Sequence, residues 1–169
     1  MYINKSLSPV VKLNLSTTSV NFEPLWVSLS LNKIKYIVGG YYRHPNTSVN
    51  DFRDSLMDTL GKLRRYKRCI IAGDINIDCN KYGSVQLTTD FIDELISLNF
   101  ISFAFLPTRI TKSSATAIDH IYTNCYSQAN SFMKCGIVIY DISDHLCNFL
   151  FIVLPVCKPP KEKLRLLLT

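Results

Sequence analysis

The sequence predicts a mixed α/β fold, and three observations carry that prediction. A short apolar run, Cys69-Ile70-Ile71-Ala72, stops at Gly73-Asp74 and has the length and composition of a buried strand. On either side of it, Phe52, Leu56, Leu60 and Leu63, then Phe91, Leu95 and Leu98, recur at helical spacing and give one apolar stripe each. The resulting order of strand, helix, strand, helix and then several short strands belongs to layered sheet and helix.

Length and composition narrow the class. A chain of 169 residues fits one domain and can bury a sizeable core, and 47% apolar with 19% charged residues excludes a disordered chain. No uninterrupted apolar run approaches about 18 residues, so no membrane span is expected. The first residues, MYINKSLSPVV, hold no apolar stretch long enough for a signal peptide. Nucleus or cytoplasm, not secretion, is the expectation. The six cysteines show no Cys-X-X-Cys pair and no zinc-like grouping with the three histidines, so they are expected reduced and act as small buried apolar residues. A net charge of +6, from 19 basic and 13 acidic residues, suits a polyanionic partner such as nucleic acid. The basic residues concentrate in the KLRRYKR segment, Lys62 to Arg68, and in the tail. For both clusters a solvated surface is the first reading and a phosphate contact the second.

Taken in order, Tyr2 and Ile3 read as strand. Residues 24–31 alternate as a strand and, after a turn at Asn32-Lys33, a second strand covers 34–41, which makes a hairpin. Gly39 and Gly40 are expected to let this strand end bend into Tyr41-Tyr42-Arg43-His44-Pro45-Asn46. Ser48 or Asn50 can cap a helix running through Phe52 to Leu63. A strand follows over 68–78 and a helix over 88–98, then strands over 100–105, 117–124, 136–140 and 147–154. Pro155, Pro159 and Pro160 close the domain, giving one unit over residues 1–155 and a basic, proline-containing tail over 156–169.

Four polar knots fall at the predicted strand ends: Asp74 with Asn76, Asp119-His120, Asp144-His145, and Tyr42-Arg43 with Asn46. They contain all three histidines of the chain. Carboxylates and a histidine at the mouth of a sheet are what metal-assisted hydrolysis of a phosphate ester requires: oxygen ligands for a hard cation, and a base or charged donor for water and phosphate.

GDIN, IDHIYTN and SDH in this order, preceded by YRHPN, resemble the endonuclease/exonuclease/phosphatase superfamily. More narrowly, FEPLWV, GGYYRHPN and the TRIT block leading to SATAIDHIYTN resemble the apurinic/apyrimidinic-type endonuclease domain of LINE-type non-LTR retrotransposons. The resemblance runs from Tyr2 to about Leu154. It implies a DNase I-like two-sheet α/β sandwich lacking its first strands, with Mg²⁺, or Mn²⁺, as cofactor. By the same resemblance Asp74 would address the attacking water, Asn76 would hold water or a phosphate oxygen, and Asp144 would sit at the metal. His145 would contact the scissile phosphate, with Asp119 orienting it. Tyr42 would support the phosphate or leaving group, a place Arg43 could take instead. Arg43, Asn46, Thr108, Arg109, Ser114 and Thr116 would face DNA.

The family's first two strands, one ending in an asparagine and the other in the main metal-binding glutamate, have no counterpart here, and Glu23 does not replace that glutamate. The cation is therefore expected to be weakly held and the isolated chain marginally stable. The implied function is nicking of target DNA, normally with a reverse transcriptase domain in the same polyprotein. The alternatives are a catalytically inactive remnant that binds nucleic acid and, third, a phosphatase of the same superfamily.

Overall fold

The computed structural model describes residues 1–16, 22–31, 33–102, 105–125, 132–139 and 142–153. In chain order its elements are β1 (Val10–Val11), β2 (Phe22–Leu31), β3 (Ile34–Arg43), α1 (Val49–Leu63), β4 (Cys69–Asp74), α2 (Gln86–Ser97), β5 (Ile101–Ser102), β6 (Arg109–Ile110), β7 (Ala115–Thr116), β8 (Asp119–Thr123), β9 (Phe132–Val138) and β10 (Cys147–Val153). Six of the strands form one mixed sheet in the order β1-β2-β3-β4-β8-β5. Strands β2 and β3 make the expected antiparallel hairpin, α1 crosses over to bring β4 parallel to β3, and β8 returns antiparallel to β4. A second, two-stranded sheet of β9 and β10 lies across the other face, where Leu150 and Ile152 meet Leu29, Val38 and Ile70 around an apolar groove of about 220 Å³. This is a two-layer sheet sandwich with helices on one side, as expected.

The helices form where the sequence places their stripes. The Ser48 hydroxyl accepts the Asp51 N–H and caps α1, and Phe52, Leu56, Leu60 and Leu63 are its buried face. Helix α2 buries Thr88, Phe91 and Leu95. Both pack on Trp26, Ile37, Tyr41, Ile71 and Tyr122 of the sheet, so the core lies between the helical layer and the large sheet. Each fully buried Leu or Phe there contributes about 2 kcal/mol of transfer free energy. Trp26 also donates its indole N–H to the Tyr41 hydroxyl at 3.0 Å.

Several boundaries differ from the expectation. Gly39 and Gly40 do not bend the strand: β3 runs through them to Arg43, and Gly39 is bare because a Cβ there would sit 2.7 Å from the Trp26 ring. Strand β4 stops at Asp74 rather than 78, because the chain turns at once into the site. Tyr2 and Ile3 form no strand, and Tyr2 is fully exposed, while β1 pairs instead through Val10 and Val11. Strand β9 begins earlier than residue 136, at Phe132. The five cysteines among the described residues are free thiols, as expected. The expected tail over 156–169 lies outside the described residues.

Candidate active site

Sheet register assembles the site. Asp74, the last residue of β4, pairs with Tyr42 of β3 on one side and with Asp119, the first residue of β8, on the other. Directly opposed residues in an antiparallel pair are about 5 Å apart, so two carboxylates share one end of the sheet. Partial burial pushes the Asp74 pKa above the usual carboxylate range, and the neighbouring Asp119 charge adds to the shift. Gly73 permits this register: its φ is 154°, and a Cβ there would lie 1.8 Å from the Tyr41 carbonyl oxygen.

Beyond Asp74 the chain turns sharply. Asn76 adopts a left-handed φ of 49°, a conformation asparagine tolerates better than most residues, and its N–H donates to Asp74 Oδ1 at 3.2 Å. Its side-chain amide donates to the Arg43 carbonyl at 2.8 Å. Arg43 in turn clamps the loop. Its guanidinium donates to the carbonyls of Ile75 and Asn76, both at 2.7 Å, and to those of His44 and Thr47 at 3.2 and 2.6 Å.

The third member arrives on the other hairpin. The Ser143-Asp144-His145 turn is stapled along β6: Ile110 N–H donates to the Asp144 carbonyl, Leu146 N–H to the Thr108 carbonyl, and Arg109 bridges to His145. His145 Nδ1 then lies 3.0 Å from Asp119 Oδ2. A carboxylate only accepts, so Nδ1 carries the proton and Nε2 is turned to whatever enters the site. Asp119 is itself fixed, since the Thr108 hydroxyl accepts the N–H groups of Ile118 and Asp119 and Asn148 donates to the Asp119 carbonyl.

Asp74, Asp119 and His145 thus bring ligand atoms within 4.8 Å of one another. Two half-buried carboxylates fit a hard divalent cation, which needs only one or two such ligands when phosphate and water complete its shell. Asp144, expected at the metal, is not in this group: Arg109 Nε donates to its Oδ2 at 2.7 Å and holds its carboxyl below the usual range.

Other expected residues divide between surface and support. Tyr42 is exposed beside Asp74, with its ring edge-on to His44 at 5.0 Å, and Asn46 is exposed in the loop entering α1. Ser114 is exposed and Thr116 half-buried on the β6–β7 hairpin, which carries Arg109. Arg43 and Thr108 correct the expectation of a DNA-facing role. Both are buried, at 2% and 0% exposure, and act on the site through the backbone they hold. His120 is not at the site mouth either. It is buried, with Nε2–H donating to the Ile77 carbonyl at 2.8 Å and Nδ1 facing the Tyr122 hydroxyl at 2.9 Å, and burial pushes its pKa down to about 4. Asn148 is not among the residues singled out from the sequence, yet its side-chain amide donates to the Asp119 carbonyl at 3.0 Å. The available signal was an amide inside an otherwise apolar strand.

The sequence matches no protein-family model and no curated protein. Solved structures do share its fold. The endonuclease domain of TRAS1, a telomere-specific non-LTR retrotransposon, matches with a TM-score of 0.67 at 18% identity, over 87% of this chain and 67% of that domain. An endonuclease/exonuclease/phosphatase protein of Bacteroides vulgatus matches with a TM-score of 0.53 at 15% identity, over 78% and 55%. A mannosyl-6-phosphatase of Bacteroides thetaiotaomicron matches with 0.52 at 13%, over 78% and 57%. The chain thus spans about two thirds of the TRAS1 domain and little more than half of the other two.

Proposed function

We propose that this chain, which has the endonuclease/exonuclease/phosphatase fold, is a phosphodiesterase that nicks DNA with a divalent cation, Mg²⁺ or Mn²⁺, as the endonuclease domain of a non-LTR retrotransposon. The observation that carries the reading is the meeting of Asp74, Asp119 and His145 at one sheet end, beside the exposed Tyr42. The fold alone does not select the substrate, because it houses a mannosyl-6-phosphatase as well as a retrotransposon endonuclease. The DNA reading is supported by the TRAS1 likeness and by the net charge of +6.

Asp74 and Asp119 would hold the cation, which when bound polarises the phosphoryl oxygen and acidifies water. Asp74 would also orient the attacking water beside that cation. Asn76 N–H fixes the Asp74 carboxylate through Oδ1, so the oxygen free for water is set by the turn. His145, aligned by Asp119, presents Nε2 to the scissile phosphate, and Tyr42 offers its hydroxyl from the adjacent strand. Arg109, fixed against Asp144, and the exposed Ser114, with Thr116 and Asn46, supply contacts to the DNA backbone. A second reading, nucleic-acid binding without cleavage, is favoured by one observation: Arg109 engages Asp144, the carboxylate expected at the metal, and keeps it apart from Asp74, Asp119 and His145.

Supercoiled plasmid incubated with the purified chain, with and without Mg²⁺, separates the readings. Metal-dependent nicking that falls about a hundredfold or more in Asp74→Asn and in His145→Ala is the expected outcome. Duplex binding without nicking would select the binding-only reading. Hydrolysis of p-nitrophenyl phosphate without nicking would select a phosphatase.

A further inference from the structure

At the far end of the large sheet, two clefts lie side by side. One, of about 610 Å³, is lined by Arg64, Lys67 and Arg68 where α1 and α2 end. The other, of about 310 Å³, is lined by Lys12, Lys62 and Arg65. They share Leu63 and Tyr66, and neither has an acidic residue in its lining. Arg68 immediately precedes β4 and Asp74 ends it, so the clefts lie roughly 20 Å from the candidate active site at about 3.3 Å per residue. They are a separate feature from it.

Cations near helix C-termini complement the helix dipole, and that accounts for part of the cluster. It does not account for all of it. Lys62 is the one basic residue in the last turn of α1, where it pairs with Asp58, and α2 has none in its last turn. The remaining cations come from the loop after α1 and from Lys12, a segment distant in sequence. Tyr66, at the junction, already carries the Arg65 guanidinium 5.3 Å above its ring. Tyr66 packs on the core and carries that guanidinium, so a single strand would run its phosphates along the two cationic troughs and place a base on the ring in exchange for Arg65.

We propose that these paired clefts are a second nucleic-acid site, taking a single strand whose backbone runs from the Arg64–Lys67 side past Tyr66 to the Lys12–Arg65 side. A lone phosphate would fill only one cleft, and a lipid surface would favour a flat or protruding apolar rim over a concave track. The proposal does not depend on the chain nicking DNA.

The test is fluorescence anisotropy with labelled 12-nucleotide dT and U oligomers in EDTA, on the Asp74→Asn chain so that cleavage plays no part. Arg64→Glu with Lys67→Glu, and Lys12→Glu with Arg65→Glu, are each expected to weaken binding about tenfold or more and to lower the log–log salt slope by about 1 to 2. Lys81→Glu with Lys134→Glu, an equal change of charge elsewhere, is expected to stay within about twofold, and thermal melts confirm that each variant is folded. A 5-iodouridine oligomer is expected to photocrosslink to Tyr66. Equal weakening in the control pair, crosslinks confined to residues 108–116, or binding to phosphatidylserine vesicles in place of oligomers would each overturn the proposal. Preference for dT or for U identifies which strand chemistry the site takes.

Discussion

Asp74 is held where its charge is costly. It is partly desolvated, it faces Asp119 across the β4–β8 pair, and its folded-state affinity for a proton exceeds that of the unfolded chain. The sign follows: ionisation favours the unfolded state, so this residue weakens the fold increasingly as pH rises through its raised pKa. Asp74→Asn removes the repulsion and keeps an oxygen for the Asn76 N–H. Its unfolding free energy at neutral pH in EDTA is therefore expected to rise by on the order of 1 kcal/mol, read as a higher urea midpoint, while nicking is lost. A midpoint that falls would show that the carboxylate is a net structural asset. At this scale the sequence was legible where residue type and strand end coincide, in the meeting of Asp74, Asp119 and His145. Asn76, expected to hold water or a phosphate oxygen, instead gives its side-chain amide to the Arg43 carbonyl. The site was not legible where a partner sits far away in sequence. Asp144 looks like a metal ligand until Arg109, 35 positions distant, is seen to hold it. Arg43 looks like a DNA contact, but strand alternation with the exposed Tyr42 turns it inward.

Among the elements, β4 is the one on which the site depends, and its weak point is Gly73. The strand must pass the Tyr41 carbonyl closely enough for Tyr42 and Asp119 to flank Asp74, and a Cβ 1.8 Å from that oxygen is incompatible with the pairing. Gly73→Ala should destabilise the chain by about 3 kcal/mol or more, read as a lowered urea midpoint, because the β3–β4 ladder has to open at its functional end. A variant as stable as wild type would mean the backbone relaxes there without loss. The same comparison explains which elements could be read beforehand. Helices α1 and α2 announce themselves through one apolar stripe each and, for α1, the Ser48 cap, since those signals are local. The role of Gly39 was not legible, because it is set by the Trp26 ring from the neighbouring strand. The small β1 strand was not legible either, because two valines pair there only once β2 offers its edge.

For the molecule as a whole, the link between site and core is a buried polar cluster. His120, on β8, reaches the Ile77 carbonyl in the loop that leaves the site, stacks on Tyr122 with ring centroids 5.5 Å apart, and touches the Cys79 thiol at 3.1 Å. Tyr122 in turn meets Phe91 of α2 edge-on. Loop, sheet and helix are therefore joined through one imidazole, which has to be neutral because burial opposes its charge more than the nearby Asp119 and Asp78 favour it. In the unfolded chain that ring titrates near 6.5, and in the folded chain near 4. Above pH 6.5 both states hold it neutral and it adds no pH dependence. Between about pH 6.5 and 4 the unfolded state binds a proton that the folded state refuses, so stability falls as pH falls, by about 1.4 kcal/mol per pH unit and roughly 3 kcal/mol in all. That is a large share of the stability of a fold that leaves Val138 and Phe151 of its second sheet, and Ile139 and Ile142 between its strands, exposed. Urea unfolding of wild type and His120→Gln from pH 7.5 to 4.5 separates this proton from those of the carboxylates. The variant is expected to be less stable at pH 7.5 but to lose less on acidification, so the two curves converge near pH 4.5. Parallel curves would mean that His120 charges within the folded state, and that the cluster opens before the molecule does.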